Sequence, residues 1–243
     1  MLVLFRKEIK SFLTSLTGYI AIVVFLLLNS FFIWFLPGEF NILDGGIATL
    51  DPMFFLAPWF FLILIPAITM RLFAEEKKTG TIELLLTRPI SDLKIIMAKY
   101  FAGISLVLFS LIPTLLFYYS VYTLGDPVGS IDSGGTWGSY IGLFFLAAVY
   151  VSIGIFSSSI TDNQIVSLIV SMILCFFFYY GFDALSGITQ SYFWQELIIS
   201  VGISDHYYSI SRGVIDSRDI IYFLSVIAFF IFLTKLVLES RKW

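Results

Sequence analysis

Six stretches of mostly apolar residues, at 18–36, 54–70, 101–124, 139–160, 165–182 and 220–238, are separated by segments that hold nearly all of the charge. A helix needs about 20 such residues to cross a hydrocarbon core of ~30 Å, and each stretch meets that length within a few residues. Irregular backbone could not take their place, because lipid offers N–H and C=O groups no partner. The one ionisable side chain inside them is Lys235, near the end of the last. The first stretch continues through Phe31, Phe32, Ile33 and Trp34 with no small-x-small site after it, so it is expected to stay in the protein rather than be cleaved as a signal peptide. The expectation is an all-α polytopic membrane protein, one domain over 1–243, with the lipid bilayer as its surroundings. Composition agrees: 59% hydrophobic against 13% charged is too apolar for a water-soluble domain and excludes disorder. A net charge of -3 excludes a nucleic-acid partner.

Orientation follows from the basic residues, which are retained on the cytoplasmic side. Arg6, Lys7 and Lys10 precede the first span; Arg71, Lys77, Lys78, Arg88, Lys94 and Lys99 lie between the second and third; Lys235, Arg241 and Lys242 are at the end. Those are twelve of the fourteen Lys and Arg. The other side carries Glu39, Asp44, Asp51, Asp126 and Asp132, with Arg212 and Arg218 alone as cations. Six helices with both termini cytoplasmic satisfy this pattern.

Three segments between spans have patterns of their own. In 2–16, Leu2, Phe5, Ile9, Phe12 and Leu16 share one helical face away from Arg6, Lys7 and Lys10. Either a helix lying along the inner headgroups or a plain basic flank fits. The segment 71–100, RLFAEEKKTGTIELLLTRPISDLKIIMAKY, is the most charged in the chain. Gly80 interrupts any helix from Arg71; Ile82, Leu85 and Leu86 form a short amphipathic turn that Pro89 ends. Ser91 can cap the next helix, with Asp92 in its first turn. The product is a cytoplasmic helical hairpin with an exposed apolar helix across its tip, as a docking element for a soluble partner would have. The outer segment 184–219 is rich in Tyr192, Phe193, Trp194, Leu197, Ile198, Val201, Tyr207 and Tyr208. A helix at 191–201 is too short to span, so re-entrant or interfacial helices broken at Gly202 and Gly213, or an aromatic belt at the headgroups, both fit.

Familiar chemistry is missing. No G-x-x-x-x-G-K-[ST], G-x-S-x-G or H-E-x-x-H occurs. One histidine, His206, and one cysteine, Cys175, supply neither a zinc centre nor an intrachain disulfide, so no catalytic residue, cofactor or metal is expected. Span interiors without Asp or Glu argue against a charge-coupled pump. Asn29, Ser30, Ser152, Ser157, Ser158 and Ser159 read best as glue between helices, and Pro58, Pro66 and Pro113 as packing kinks. Glu39, Asp44 and Asp51 read as solvated carboxylates, and His206 as an interfacial loop residue.

The stretch EEKKTGTIELLLTRPIS at 75–91 resembles the signature between the second and third helices of ABC-2 type transporter permeases. A second stretch, ISDHYYSISRGVIDSRDIIYF at 203–223, resembles that family's outer segment before the sixth helix, with Gly213, Val214, Ile215 and Asp216 in the matching places. The run at 38–78 is similar to the gliding-motility-associated ABC transporter permeases of Bacteroidota-type bacteria, the smaller permease that accompanies a separate ATPase. The resemblance implies a bacterial inner-membrane permease that dimerises with an identical or different half and takes its energy from a soluble cytoplasmic ABC ATPase. It also implies ATPase coupling through Glu75, Glu76, Lys77, Lys78, Gly80, Thr81, Ile82, Glu83, Leu84, Leu85, Leu86 and Pro89. By the same resemblance, 1–17 is an amphipathic connecting helix, and Trp194, His206, Gly213 and Asp216 belong to the outer re-entrant segment. Two other functions remain open on the residues alone: a secondary transporter or channel, and a non-transporting scaffold of a motility or secretion machine.

Overall fold

The computed structural model describes residues 1–86, 90–188, 191–213 and 216–240, and residues 84–86 by their backbone. Helix α1 (Leu2–Leu13) precedes α2 (Leu16–Ser30), which ends in a π-helical turn at Phe31–Phe35. The first helix stops at Leu13 rather than at Leu16, because Ser15 caps α2 by accepting the Gly18 N–H at 3.2 Å. A short α3 (Ile42–Gly45) lies in the outer loop; α4 (Asp51–Thr69) and α5 (Arg71–Lys78) then follow almost as one rod. After α6 (Thr81–Leu86) come α7 (Asp92–Leu111) and α8 (Leu115–Leu124), joined by a 3-10 turn at Ile112–Thr114 where Pro113 interrupts the ladder. The remaining helices are α9 (Ser133–Ile160), α10 (Gln164–Phe176), α11 (Phe182–Ser186), α12 (Tyr192–Val201), α13 (Ile203–Ser211) and α14 (Ser217–Glu239).

Six helical runs are long and apolar enough to span: Leu16–Phe35, Asp51–Lys78, Asp92–Leu124, Ser133–Ile160, Gln164–Ser186 and Ser217–Glu239. They divide into two classes. The second, third and fourth are 67–78% buried; the first, fifth and sixth are 22% buried and turn most of their apolar surface outward. The axis is α9, buried on every side from 146 to 155 and packed by α4, α7, α10, α13 and α14. Close approach needs Gly154, where a Cβ would lie 2.1 Å from Thr69 Oγ1 of α4.

Length explains what projects. The 28 residues of α4 and α5 make a rod of roughly 42 Å at 1.5 Å per residue, longer than a ~30 Å core. The third run begins at Asp92, nine residues before the apolar stretch, and is longer still. Both therefore extend beyond the bilayer at the end that carries the basic residues, called the inner end below.

Candidate functional site

At the inner end the joint between α4 and α5 leaves amides at the start of α5 without helical partners, and its N-cap residue, Met70, offers no side-chain acceptor. Ser158 of α9 supplies one from across the bundle. Its Oγ accepts the N–H groups of Phe73 (2.9 Å) and Ala74 (3.0 Å) and donates to the Met70 carbonyl (3.0 Å). Lys77 donates to the Ser159 carbonyl. These bonds fix the direction in which α5 leaves the bundle.

Below that joint is a cluster of four charges. Lys99 of α7 is 0% exposed, yet its Nζ lies 2.9 Å from Glu8 Oε1 and 3.0 Å from Glu76 Oε2. It also donates to the Leu72 carbonyl and stands 5.0 Å over the Phe73 ring. Lys7 Nζ closes the cluster, 2.7 Å from Glu76 Oε1 and 3.7 Å from Glu8 Oε1. Two cations and two anions from α1, α5 and α7 balance, which is what allows a lysine to be buried here. Burial opposes the Glu76 charge, but Lys99 and Lys7 outweigh it and hold the carboxyl below the ordinary range. Partial burial likewise opposes the Lys7 charge, and Glu76 and Glu8 more than offset it, holding the amine above the ordinary range.

The third helix begins at Asp92 with Ser91 at its N-cap, as its sequence suggests, and it carries Lys99 buried inside the bundle. On α1, Phe12 of the apolar face is buried together with Glu8 while Leu2 is exposed, because α1 packs on α7. Within the candidate docking set, Glu76 and Ile82 are buried in the folded chain. Glu75, Lys78, Gly80, Thr81 and Glu83 are exposed, and Lys77 is half-buried. Gly80, at φ +70°, turns the chain from α5 into α6 in a conformation that side chains disfavour. Leu84, Leu85 and Leu86 complete α6, while Pro89 lies outside the described residues, as do Arg88, Val214, Ile215, Arg241 and Lys242. Ser91 stands at the N-cap of α7 without a side-chain capping bond.

The outer end is built differently. His206 lies on α13 rather than in a loop. Its Nδ1 is 2.7 Å from Asp219 Oδ1 of α14 and its Nε2 is 3.0 Å from the Ser200 carbonyl. The ring stacks on Tyr222 at 3.8 Å, and Asp219 Oδ2 is buried with no hydrogen bond. Asp216 caps α14 by accepting the Arg218 N–H at 3.0 Å, which lowers its pKa, and Gly213 turns the chain at φ +83°. Trp194 is exposed on α12, a helix with no buried residue. Beside α13 a cleft of about 540 Å³ opens between Asp51, Asp132, Tyr207, Tyr208 and Arg212. Asp44 closes its own loop on the Gly38 N–H.

The polar residues read as glue divide. Ser158 and Ser157 do bond across helices, Ser157 to the Ser167 carbonyl at 2.7 Å. Ser152, Ser159 and Asn29 donate to carbonyls of their own helices.

The family described as "ABC-2 family transporter protein" matches residues 2–240. The chain belongs to the ABC-2 transporter family. It is a permease component of an ABC transporter, a multi-pass membrane protein, and the family implies a separate ABC ATPase as partner. Hydrolysis belongs to that partner; the permease is the membrane component. No curated protein in the comparison matches the chain.

Residue patterns did not single out Lys99, Glu8 or the three-way role of Ser158. A signal for Lys99 exists in its position four residues after Ile95, three before Ala102 and seven before Leu106, on the buried face of α7.

Proposed function

We propose that this permease is the membrane subunit of an ATP-driven transporter of the gliding-motility-associated type, acting as a dimer of six-helix halves in a bacterial inner membrane. A cytoplasmic ATPase grips the α5–α6 hairpin, and its closure on ATP swings that hairpin to shift the dimer between inward-facing and outward-facing packings. The observation that carries this is the joining of α5 to α1 and α7 through the Lys7–Glu76–Lys99–Glu8 cluster, beside exposed Glu75, Lys78, Thr81 and Glu83. Such a hairpin moves as a lever, because displacing it alone would take Glu76 from Lys99 and leave the buried cluster unbalanced. The narrower gliding-motility assignment is supported by the resemblance over 38–78. Outer residues Trp194, His206, Gly213 and Asp216 belong, on this reading, to the segment that seals the path from outside.

Co-purification of an ATPase from the native membrane, followed by hydrolysis assays in proteoliposomes, tests the proposal. Glu83→Lys should leave insertion intact and lower permease-stimulated hydrolysis several-fold. Unchanged hydrolysis in that variant would remove α6 as the docking element, and cargo movement without any ATPase would favour a secondary transporter.

A further inference from the structure

Four buried hydroxyls without a hydrogen-bond partner meet at one interface: those of Tyr150, Ser167, Ser171 and Tyr179. Ser167, Ser171 and Cys175 are the buried residues of α10, and Tyr179 continues the column one turn on, in the π-helical segment Phe177–Gly181. The packed face of this helix is therefore polar at every fourth position, while Ile165, Ile169, Ile173 and Phe176 face outward. Across the seam stands Tyr150 of α9, its ring 6.5 Å from that of Tyr179, which in turn is 6.4 Å from Tyr207 at the wall of the outer cleft. Ser171 and Tyr179 have looser polar neighbours in Cys175 and Tyr208, and Tyr150 has Cys175, Tyr179 and Tyr207 nearby without a hydrogen bond to any of them.

Buried hydroxyls left unbonded destabilise the packing that holds them, and lipid cannot satisfy them. Three of the four lie on the run Gln164–Ser186, of which 22% is buried, and face Tyr150 of α9; apart from the Ser157 bond to the Ser167 carbonyl, the closed contact leaves these hydroxyls unbonded and would gain bonds on opening. We propose that this seam is a latent binding site that opens during the transport cycle to take an uncharged, hydrogen-bonding portion of an amphipathic cargo. The class follows from the lining: hydroxyls and aromatic rings, Trp59 meeting Tyr179 edge-on at 5.6 Å among them, with no carboxylate, amine or guanidinium on either helix and with Asp183, beyond the end of α10, already bonded to Ser204. The outward apolar side of α10 would face the cargo's hydrocarbon part. This rests on the ATP-driven reading for its trigger, though not for its location.

The protein carries its own reporter, since Cys175 is its single cysteine and is fully buried in the seam. Permease and ATPase reconstituted in proteoliposomes are treated with N-ethylmaleimide, a neutral probe, and with an anionic sulfonated thiosulfonate, each with and without ATP. The expected result is at least a tenfold rise in N-ethylmaleimide labelling on ATP addition, with the anionic probe at least fivefold slower. The double variant Tyr150→Phe, Tyr179→Phe keeps the rings and removes two unbonded hydroxyls, so it should melt higher than the wild type and label several-fold more slowly under ATP. Hydrolysis that proceeds while Cys175 stays unreactive overturns the seam and leaves the proposed function standing, as does equal labelling by both probes. Neutral-selective labelling that needs neither ATPase nor ATP supports the seam and overturns the ATP-driven reading.

Discussion

At the inner end a lysine with no exposure is held between two carboxylates and a carbonyl, with a second lysine completing the balance; at the outer end a buried aspartate meets one histidine and leaves its other oxygen bare. Both clusters tie separate helices together, but they tie them differently. The inner four come from α1, α5 and α7, and none can move far without exposing an unpaired charge in a site of low dielectric. The outer pair joins α13 to α14 through one polar contact and the stacked rings of His206 and Tyr222, beside a cleft and a helix with no buried residue. A joint with mutually dependent charges transmits displacement, whereas one with a single polar contact and an unsatisfied atom can exchange partners.

The largest break in that comparison should come from Lys99→Ala, which strands Glu8 and Glu76 in the interior and should cost about 3–5 kcal/mol, read as a fall in melting temperature in detergent. Adding Glu8→Gln and Glu76→Gln should recover much of it. His206→Ala deprives Asp219 of its imidazole partner and should cost about 1–3 kcal/mol while leaving ATPase association intact. An equal loss at both sites would dissolve the distinction between the ends.

Acid should sharpen it. Because Glu76 is held below its ordinary value of 4.5, its contribution is complete above pH 4.5 and disappears as pH falls through the lowered value. Lys7 behaves in the opposite sense: its contribution is complete below 10.5 and disappears as pH rises through the elevated value. A pH–stability profile of Glu76→Gln should lack the acid limb seen in the wild type. The smallest stability change is expected for Lys7→Ala, less than about 1 kcal/mol, because that side chain is 57% exposed and its pairing is screened by solvent.

Membrane class, six spans and the Gly80 turn were legible because they depend on local quantities: runs of apolar residues and one residue free to take positive φ. Cap positions at Ser91 and the helix break at Gly202 were local too, though whether the Ser91 hydroxyl makes a bond was not. The burial of Glu76 and Ile82 was not legible for one reason: a pattern of alternating charge and apolar residues does not say which face meets the protein and which meets water. The buried lysine depends on pairs 91 and 27 residues apart along the chain, with Glu8 and with the Leu72 carbonyl, which no window of neighbours contains.

Sequence by itself determined that this chain must cross a bilayer six times and which loops carry its charge, since transfer of apolar and charged groups between water and lipid is set residue by residue. Only the tertiary structure decided that Lys99 would be the centre of a neutral cluster, that Ser158 would cap a distant helix, and that α10 would pack by its hydroxyls. Those outcomes depend on which donors and acceptors the folded helices bring within 3 Å of one another, and a buried polar group is tolerable only where such partners converge.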